Sequence, residues 1–172
     1  MSKVIGIDPG SKGAVVVLDE RGVIDSSFTF LKGTKEIDYE LIAMMFNGYK
    51  PAEDYIVGIE EVHAIYGSAA KATFNFGHIC GFLRACCYCN DLNHILVPPK
   101  TWQKFVWINE DIVFKKNSKE VDTKATSLNA AGRLFPNQSF RATKRSTTSH
   151  DGIVDAALIA YYTYYHNKVN VF

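Results

Sequence analysis

Lys3-Val4-Ile5-Gly6-Ile7-Asp8-Pro9-Gly10, followed at once by Ala14-Val15-Val16-Val17-Leu18, is the stretch on which the fold turns. The first run is β-branched and apolar and stops at an aspartate with a Pro-Gly behind it, so it reads as a strand closed by a turn. The second run is a further strand. Asp19 to Gly22 turns the chain back, and Val23 to Phe30 supplies a third, which makes an antiparallel meander. An aspartate at the end of a buried strand is often only a turn former. Asp8 acquires a second reading from a later strand of the same kind.

Tyr55-Ile56-Val57-Gly58-Ile59-Glu60 is a fourth, buried strand that also ends on a carboxylate. Glu61 is its rival, and adjacent strand residues face opposite ways, so only one can share a site with Asp8. Ile95 to Val97 is a fifth strand. Between and after the strands, apolar spacing predicts helices over 37–47, 73–90, a short one after Pro98-Pro99 to Val106, 123–135, and 150 to about 165. Gly48 and Pro136 end two of them, and Ser149 is placed to cap the last. The segment 109–122 reads as a mobile, lysine-bearing loop, and 137–149 as a basic, hydroxyl-rich one. The order β-β-β-α-β-α-β-α-α-α describes one mixed α/β domain over 1–172.

Asp151 and Asp155 stand four apart at the start of the last helix, on one face and one turn apart. Carboxylates gathered in one place repel one another and raise each other's pKa unless a cation neutralises them. A hard divalent ion held by oxygen ligands, with water left for chemistry, is the expected partner.

The chain has 172 residues, 47% of them hydrophobic, and a net charge of +1. That fits a folded globular domain and excludes a global polycation, so a nucleic-acid surface must be local. Lys115, Lys116 and Lys119 in one loop and Arg141, Lys144 and Arg145 in the other supply such surfaces, the second running straight into Asp151. No run reaches transmembrane length, and a strand starting at the third residue leaves no room for a signal peptide; a cytoplasmic, nucleoid-associated location is expected, or the host cytoplasm for a phage-encoded protein. Cys80, Cys86, Cys87 and Cys89 read as small buried hydrophobes on a helix, not zinc ligands or disulfides. Tyr161, Tyr162, Tyr164 and Tyr165 read as helix packing more than as a base-stacking platform.

The stretch "IGIDPGSKGAVVVLD" resembles the opening of RuvC-type Holliday junction resolvases, within the ribonuclease H-like superfamily. "VGIEEVH", "FNFGHICGFLRA", "LVPPKTWQK", "AAGRLFP" and "HDGIVDAALIAYY" are similar to the successive blocks of the phage-type branch, in the right order over nearly the whole chain. The resemblance implies a five-stranded mixed sheet flanked by helices. It assigns metal ligation to Asp8, Glu60 and Asp155. Relatives place the remaining ligand three residues before the final aspartate, which here is Gly152, so Asp151 takes that part, with His150 as the other candidate. Lys104 and Lys124 fall near the family's functional lysines. An aromatic that stacks on bases near the junction corresponds here to His63, with Tyr66 three residues on.

The implied activity is that of a crossover junction endodeoxyribonuclease, a homodimer that nicks four-way DNA junctions symmetrically with two Mg²⁺ ions per site, Mn²⁺ as a possible substitute, leaving 5′-phosphate and 3′-hydroxyl ends. Two other readings are a ribonuclease H-like hydrolase of RNA–DNA hybrids and a junction-binding protein without cleavage. "DPGSKGAVVVLD" also resembles the first phosphate loop of actin-like ATPases and sugar kinases, but those need a second lobe that this chain is too short to hold.

Overall fold

The computed structural model describes residues 2–10, 12–32, 36–61 and 69–169. Strands β1 (Lys3–Asp8), β2 (Ala14–Leu18) and β3 (Ile24–Thr29) form the antiparallel meander. A short hairpin of β4 (Leu31–Lys32) and β5 (Glu36–Ile37) follows, then α1 (Tyr39–Asn47), β6 (Tyr55–Glu60), α2 (Ala70–Cys89) and β7 (Asn93–Val97). The helices α3 (Pro99–Val106), α4 (Thr123–Leu134) and α5 (Asp151–Val169) complete the chain. The main sheet has five strands in the order β3-β2-β1-β6-β7, with β1–β6 and β6–β7 parallel. The mixed α/β fold with a five-stranded sheet flanked by helices is therefore as expected.

Three local expectations give way. Ile37 belongs to β5, not to the first helix, because Asp38 caps that helix by accepting from the Leu41 amide. Ser149 does not cap α5: the His150 carbonyl receives the amides of Ile153 and Val154, so His150 holds the cap position. The 109–122 segment is partly ordered by a bridge between Phe114 and Val121 and by a 2.7 Å ion pair between Lys115 and Glu120.

Both faces of the sheet are covered, which is why the central strands read as unbroken apolar runs. Ile5, Ile7, Val15, Val17, Val57 and Ile59 pack against α1 and α2 through Ile42, Phe46, Ile79 and Leu83. Val4, Val16, Leu18 and Val97 pack against α3, α4 and α5 on the other face. The first half of α5 is apolar nearly all round, as a helix enclosed by neighbours must be. It lies directly on β1 and β6. A Cβ on Gly6 would overlap the Ala156 carbonyl oxygen, and one on Gly58 would overlap Thr163 Oγ1. Glycine at both places lets the helix backbone touch the sheet.

All four cysteines are free. Cys86 and Cys87 are buried as expected, but Cys89 is exposed and Cys80 half-buried. Cys86 and Cys89 are spaced C-x-x-C within α2, yet no metal-binding group forms there among the described residues. The tyrosines at the end of α5 pack: Tyr161 meets Phe135 edge-on at 5.9 Å, and the buried Tyr164 donates its hydroxyl to the Glu20 carbonyl at 3.0 Å. No helix among the described residues is long and apolar enough to cross a membrane.

Candidate active site

Gly-Ile-Asp in β1 and Gly-Ile-Glu in β6 occupy matching positions, because the parallel register pairs Gly6 with Gly58 and Ile7 with Ile59. Side chains alternate along a strand. The isoleucines enter the α1/α2 core, so Asp8 and Glu60 emerge on the α5 face, one residue beyond. This settles the choice between Glu60 and Glu61 in favour of Glu60 as the neighbour of Asp8. The repeated Gly-Ile-acid triplet was the available signal; hydrophobic period carries none in a strand buried on both faces.

The N-terminus of α5 arrives at the same edge. Gly152 is pressed against the β1–β2 turn: a Cβ there would overlap the Lys12 carbonyl oxygen and lie 3.1 Å from Asp8 Oδ2. No side chain fits at this position, so a carboxylate can come only from its flanks. Asp151 and Asp155 supply it, on the helical face turned towards α4. Burial pushes Asp8, Glu60 and Asp155 each up to about 7 from ordinary carboxylate values. Charge repulsion adds to it, between Asp8 and Glu60, Glu60 and Asp155, and Asp155 and Asp8, with Asp151 acting on both aspartates.

Each of the three buried carboxylates holds one neutral donor. The Gly10 amide donates to Asp8 Oδ1 at 3.0 Å, and the Trp102 indole N–H to Glu60 Oε1 at 3.0 Å. The Ser127 hydroxyl donates to Asp155. Asp151 is different: it is half exposed and carries the ammonium of Lys124 at 2.5 Å from Oδ2. Lys124 and Ser127 are three apart on α4 and therefore share the face that meets α5.

The donor set is oxygen-only and anionic and rides on rigid elements, which fits a hard divalent ion in kind. Among the described residues its three inner members form no ion pair, and the charge of Lys124 only partly offsets the rise at Asp155. Among the described residues, however, no three acidic, histidine or cysteine side chains converge into a finished metal shell.

Trp102 and Ser127 were missed in the sequence. Trp102 follows β7 by one helical turn, and β7 pairs Val97 with Glu60, so the chain path delivers it to the site. A buried indole N–H requires an acceptor, and that was the usable clue. Lys104, two residues on, is exposed on the opposite side of α3, since two residues rotate a helix by about 200°. No hydrogen bond or ion pair among the described residues joins it to the carboxylates. His150 is half-buried, with its Nδ1 shielded and unpartnered among the described residues, and burial lowers its pKa. His63 and Tyr66 lie outside the described residues.

The basic loop 141–149 is closed at its base. The His150 amide donates to the Phe140 carbonyl at 2.7 Å, and the Phe140 ring is buried against Phe135. Arg141, Lys144 and Arg145 are exposed on the loop that springs from this clamp and that leads in sequence to Asp151. Lys115 is engaged by Glu120, while Lys116 and Lys119 are exposed beside it.

No family model and no curated protein sequence matches the chain. Solved structures do. The fold is similar to that of RuvC from T. thermophilus in complex with a Holliday junction substrate, at TM-score 0.65 and 11% identity, covering 99% of this chain and 97% of that one. A second Thermus thermophilus RuvC structure aligns at TM-score 0.61 and 14% identity over 97% of this chain and 96% of its own. The yeast mitochondrial Holliday junction resolvase Ydc2 aligns at TM-score 0.62 and 16% identity over 99% of this chain and 81% of its own. The likeness extends over nearly the whole chain, and the fold is the one these solved structures share.

Proposed function

We propose that this chain is a divalent-metal-dependent endonuclease that resolves four-way DNA junctions by paired, symmetric nicks. The observation that carries the reading is the set of three buried, mutually repelling carboxylates from β1, β6 and α5, on a fold shared with junction resolvases. Mg²⁺ is the expected ion and Mn²⁺ a substitute; bound, it supplies a water of lowered pKa and positive charge at the leaving 3′ oxygen.

The chain's own residues do the rest. Asp8, Glu60 and Asp155 present oxygens from rigid elements, and Asp151 completes the acidic rim. Lys124 stands where it can exchange Asp151 for a scissile phosphate and stabilise the charge that grows there. Arg141, Lys144 and Arg145, with Lys116 and Lys119, offer phosphate contacts that position branched DNA without reading sequence. Lys104, on the far side of α3, would serve the flanking duplex. Products with 5′-phosphate and 3′-hydroxyl ends are expected, as the resemblance to junction resolvases implies.

A junction has two scissile strands related by near-twofold symmetry, and a symmetric dimer matches it. The outer face of α2 supports such a pairing: Phe74 is 73% and Tyr88 64% exposed, and the face between them is open at Gly77 and Gly81.

The test is a Mg²⁺ cleavage assay on a labelled four-way junction, a linear duplex of the same sequence and an RNA–DNA hybrid, with Asp8→Asn as control. Paired nicks in the junction alone, abolished in the variant, are expected. Cutting of the hybrid alone would transfer the function to ribonuclease chemistry, and junction binding without cutting by the wild type would make the protein a binder.

A further inference from the structure

Trp102 belongs to the site although, in the proposed reaction, it neither ligates metal nor touches DNA. Trp102 is 1% exposed, fixed in the core formed by α3, α4, α5 and the sheet. Its indole N–H points to Glu60 Oε1 at 3.0 Å. Trp107 packs against it edge-on at 6.1 Å, and the Trp107 N–H is itself buried without a partner among the described residues. Of two neighbouring indoles, only one directs its donor to the carboxylate.

We propose that Trp102 is a positioning residue for Glu60: its N–H holds one carboxylate oxygen and sets the rotation of the group, so that the second oxygen is presented to the divalent ion. This rests on the nuclease reading for the identity of the site, but not on the substrate being a junction. The choice of an indole has a physical reason. Lysine or arginine in this place would neutralise Glu60 and compete with the ion, whereas an uncharged donor orients the carboxylate and leaves its charge to the metal. A ring locked in the core cannot swing away, which a serine or glutamine could do. Rigid support of this kind is what keeps ligands within working geometry.

The chain contains two tryptophans, so each single variant is its own optical reporter. Trp107→Phe leaves Trp102 as the sole indole; Trp102→Phe leaves Trp107 and removes only the donor to Glu60 and part of the ring. Mn²⁺ is titrated into both variants and wild type, followed by tryptophan emission and, independently, by the electron paramagnetic resonance signal of the free ion. Urea unfolding of each variant records stability.

In Trp107→Phe the ion is expected to change the emission saturably, with wild-type affinity. In Trp102→Phe the affinity is expected to fall on the order of tenfold or more. Mn²⁺ binding in Trp102→Phe equal to wild type overturns the proposal. So does an equal loss in Trp107→Phe, since that would reduce both indoles to packing. Restoration of affinity by Trp102→His, which keeps a ring N–H, supports positioning over bulk; its failure while Trp102→Phe retains wild-type stability counts against it. Junction cleavage is read separately. Ion affinity lost in Trp102→Phe with no junction cleavage by wild type leaves the positioning role standing and removes the junction reading.

Discussion

Lys124 Nζ lies 2.5 Å from Asp151 Oδ2, and one turn further along α4 the Ser127 hydroxyl donates to Asp155. The first turns of α4 and α5 are therefore matched rung to rung, a cation against the outer carboxylate and a neutral donor against the inner one. Both members of the ion pair are more than half exposed. Such a pair contributes at most about 1 kcal/mol to stability. Lys124→Met should unfold in urea within that margin of wild type, while junction cleavage falls on the order of 100-fold, as for loss of one charge-stabilising donor. Loss of stability without loss of rate would make the lysine scaffolding.

Ion-free stability should fall as the solution is made less acidic. Asp8, Glu60 and Asp155 titrate at about 7 in the folded protein, against 3.8, 4.5 and 3.8 ordinarily. From about pH 4 to about pH 7 the folded state retains protons that the unfolded chain has released, so stability drops through that window and the contribution levels off above it. Thermal melts in chelator isolate the effect when wild type is compared with Asp8→Asn. The variant should gain on wild type as pH rises, by on the order of 4 kcal/mol above pH 7. Millimolar Mg²⁺ should close most of the gap. A difference independent of pH would mean that Asp8 is ionised and compensated in the ion-free protein.

The clamped loop makes a prediction about salt. Replacing Arg141, Lys144 and Arg145 by glutamine removes three candidate phosphate contacts, which should flatten the dependence of log K on log salt by roughly two to three. Asp8→Asn, which leaves these cations in place, should retain junction binding with the wild-type slope. Fluorescence anisotropy across 50–300 mM KCl, on the order of the range where such slopes are read, decides between them. An unchanged slope in the triple variant would move the DNA surface elsewhere.

Glycine substitutions separate close approach from open space. Gly6→Ala drives a methyl into the Ala156 carbonyl, a backbone atom that cannot step aside, and should cost about 3 kcal/mol or prevent folding. Gly77→Ala, with nothing within 4 Å of the new Cβ, should stabilise the isolated subunit by about 0.5–1 kcal/mol through helix propensity. Urea denaturation at low protein concentration measures both. Equal effects would mean that α5 does not rest on β1.

Strand and helix order was legible because it depends on local runs: the meander, β6, α3 and α4 appear within a residue or two of where apolar spacing and Pro or Gly punctuation put them. Boundaries set by distant partners were not. Ile37 left the helix to pair with Leu31, and His150 took the cap because its amide is held by Phe140. The same division runs through the site. The four carboxylates could be singled out by their places at strand ends and on one helical face. Trp102 and Ser127 could not, since each matters only through a residue far away in the chain. Glycine at 152, the position at which the resemblance implies a ligand, becomes intelligible only when the Lys12 carbonyl is seen in the space of its missing side chain.

The order in which the ribosome releases these elements has its own consequence. Asp8 and Glu60 emerge early, but α5, which carries Asp151 and Asp155 and fills the sheet face over Gly6 and Gly58, is made after every strand. A nascent chain that has not yet exposed residues 151–163 has neither an acidic cluster nor a closed core on that side. On the proposed function, nuclease competence therefore comes in one step with the docking of the final helix, and a fragment truncated before it should be as harmless to DNA as it is unstable.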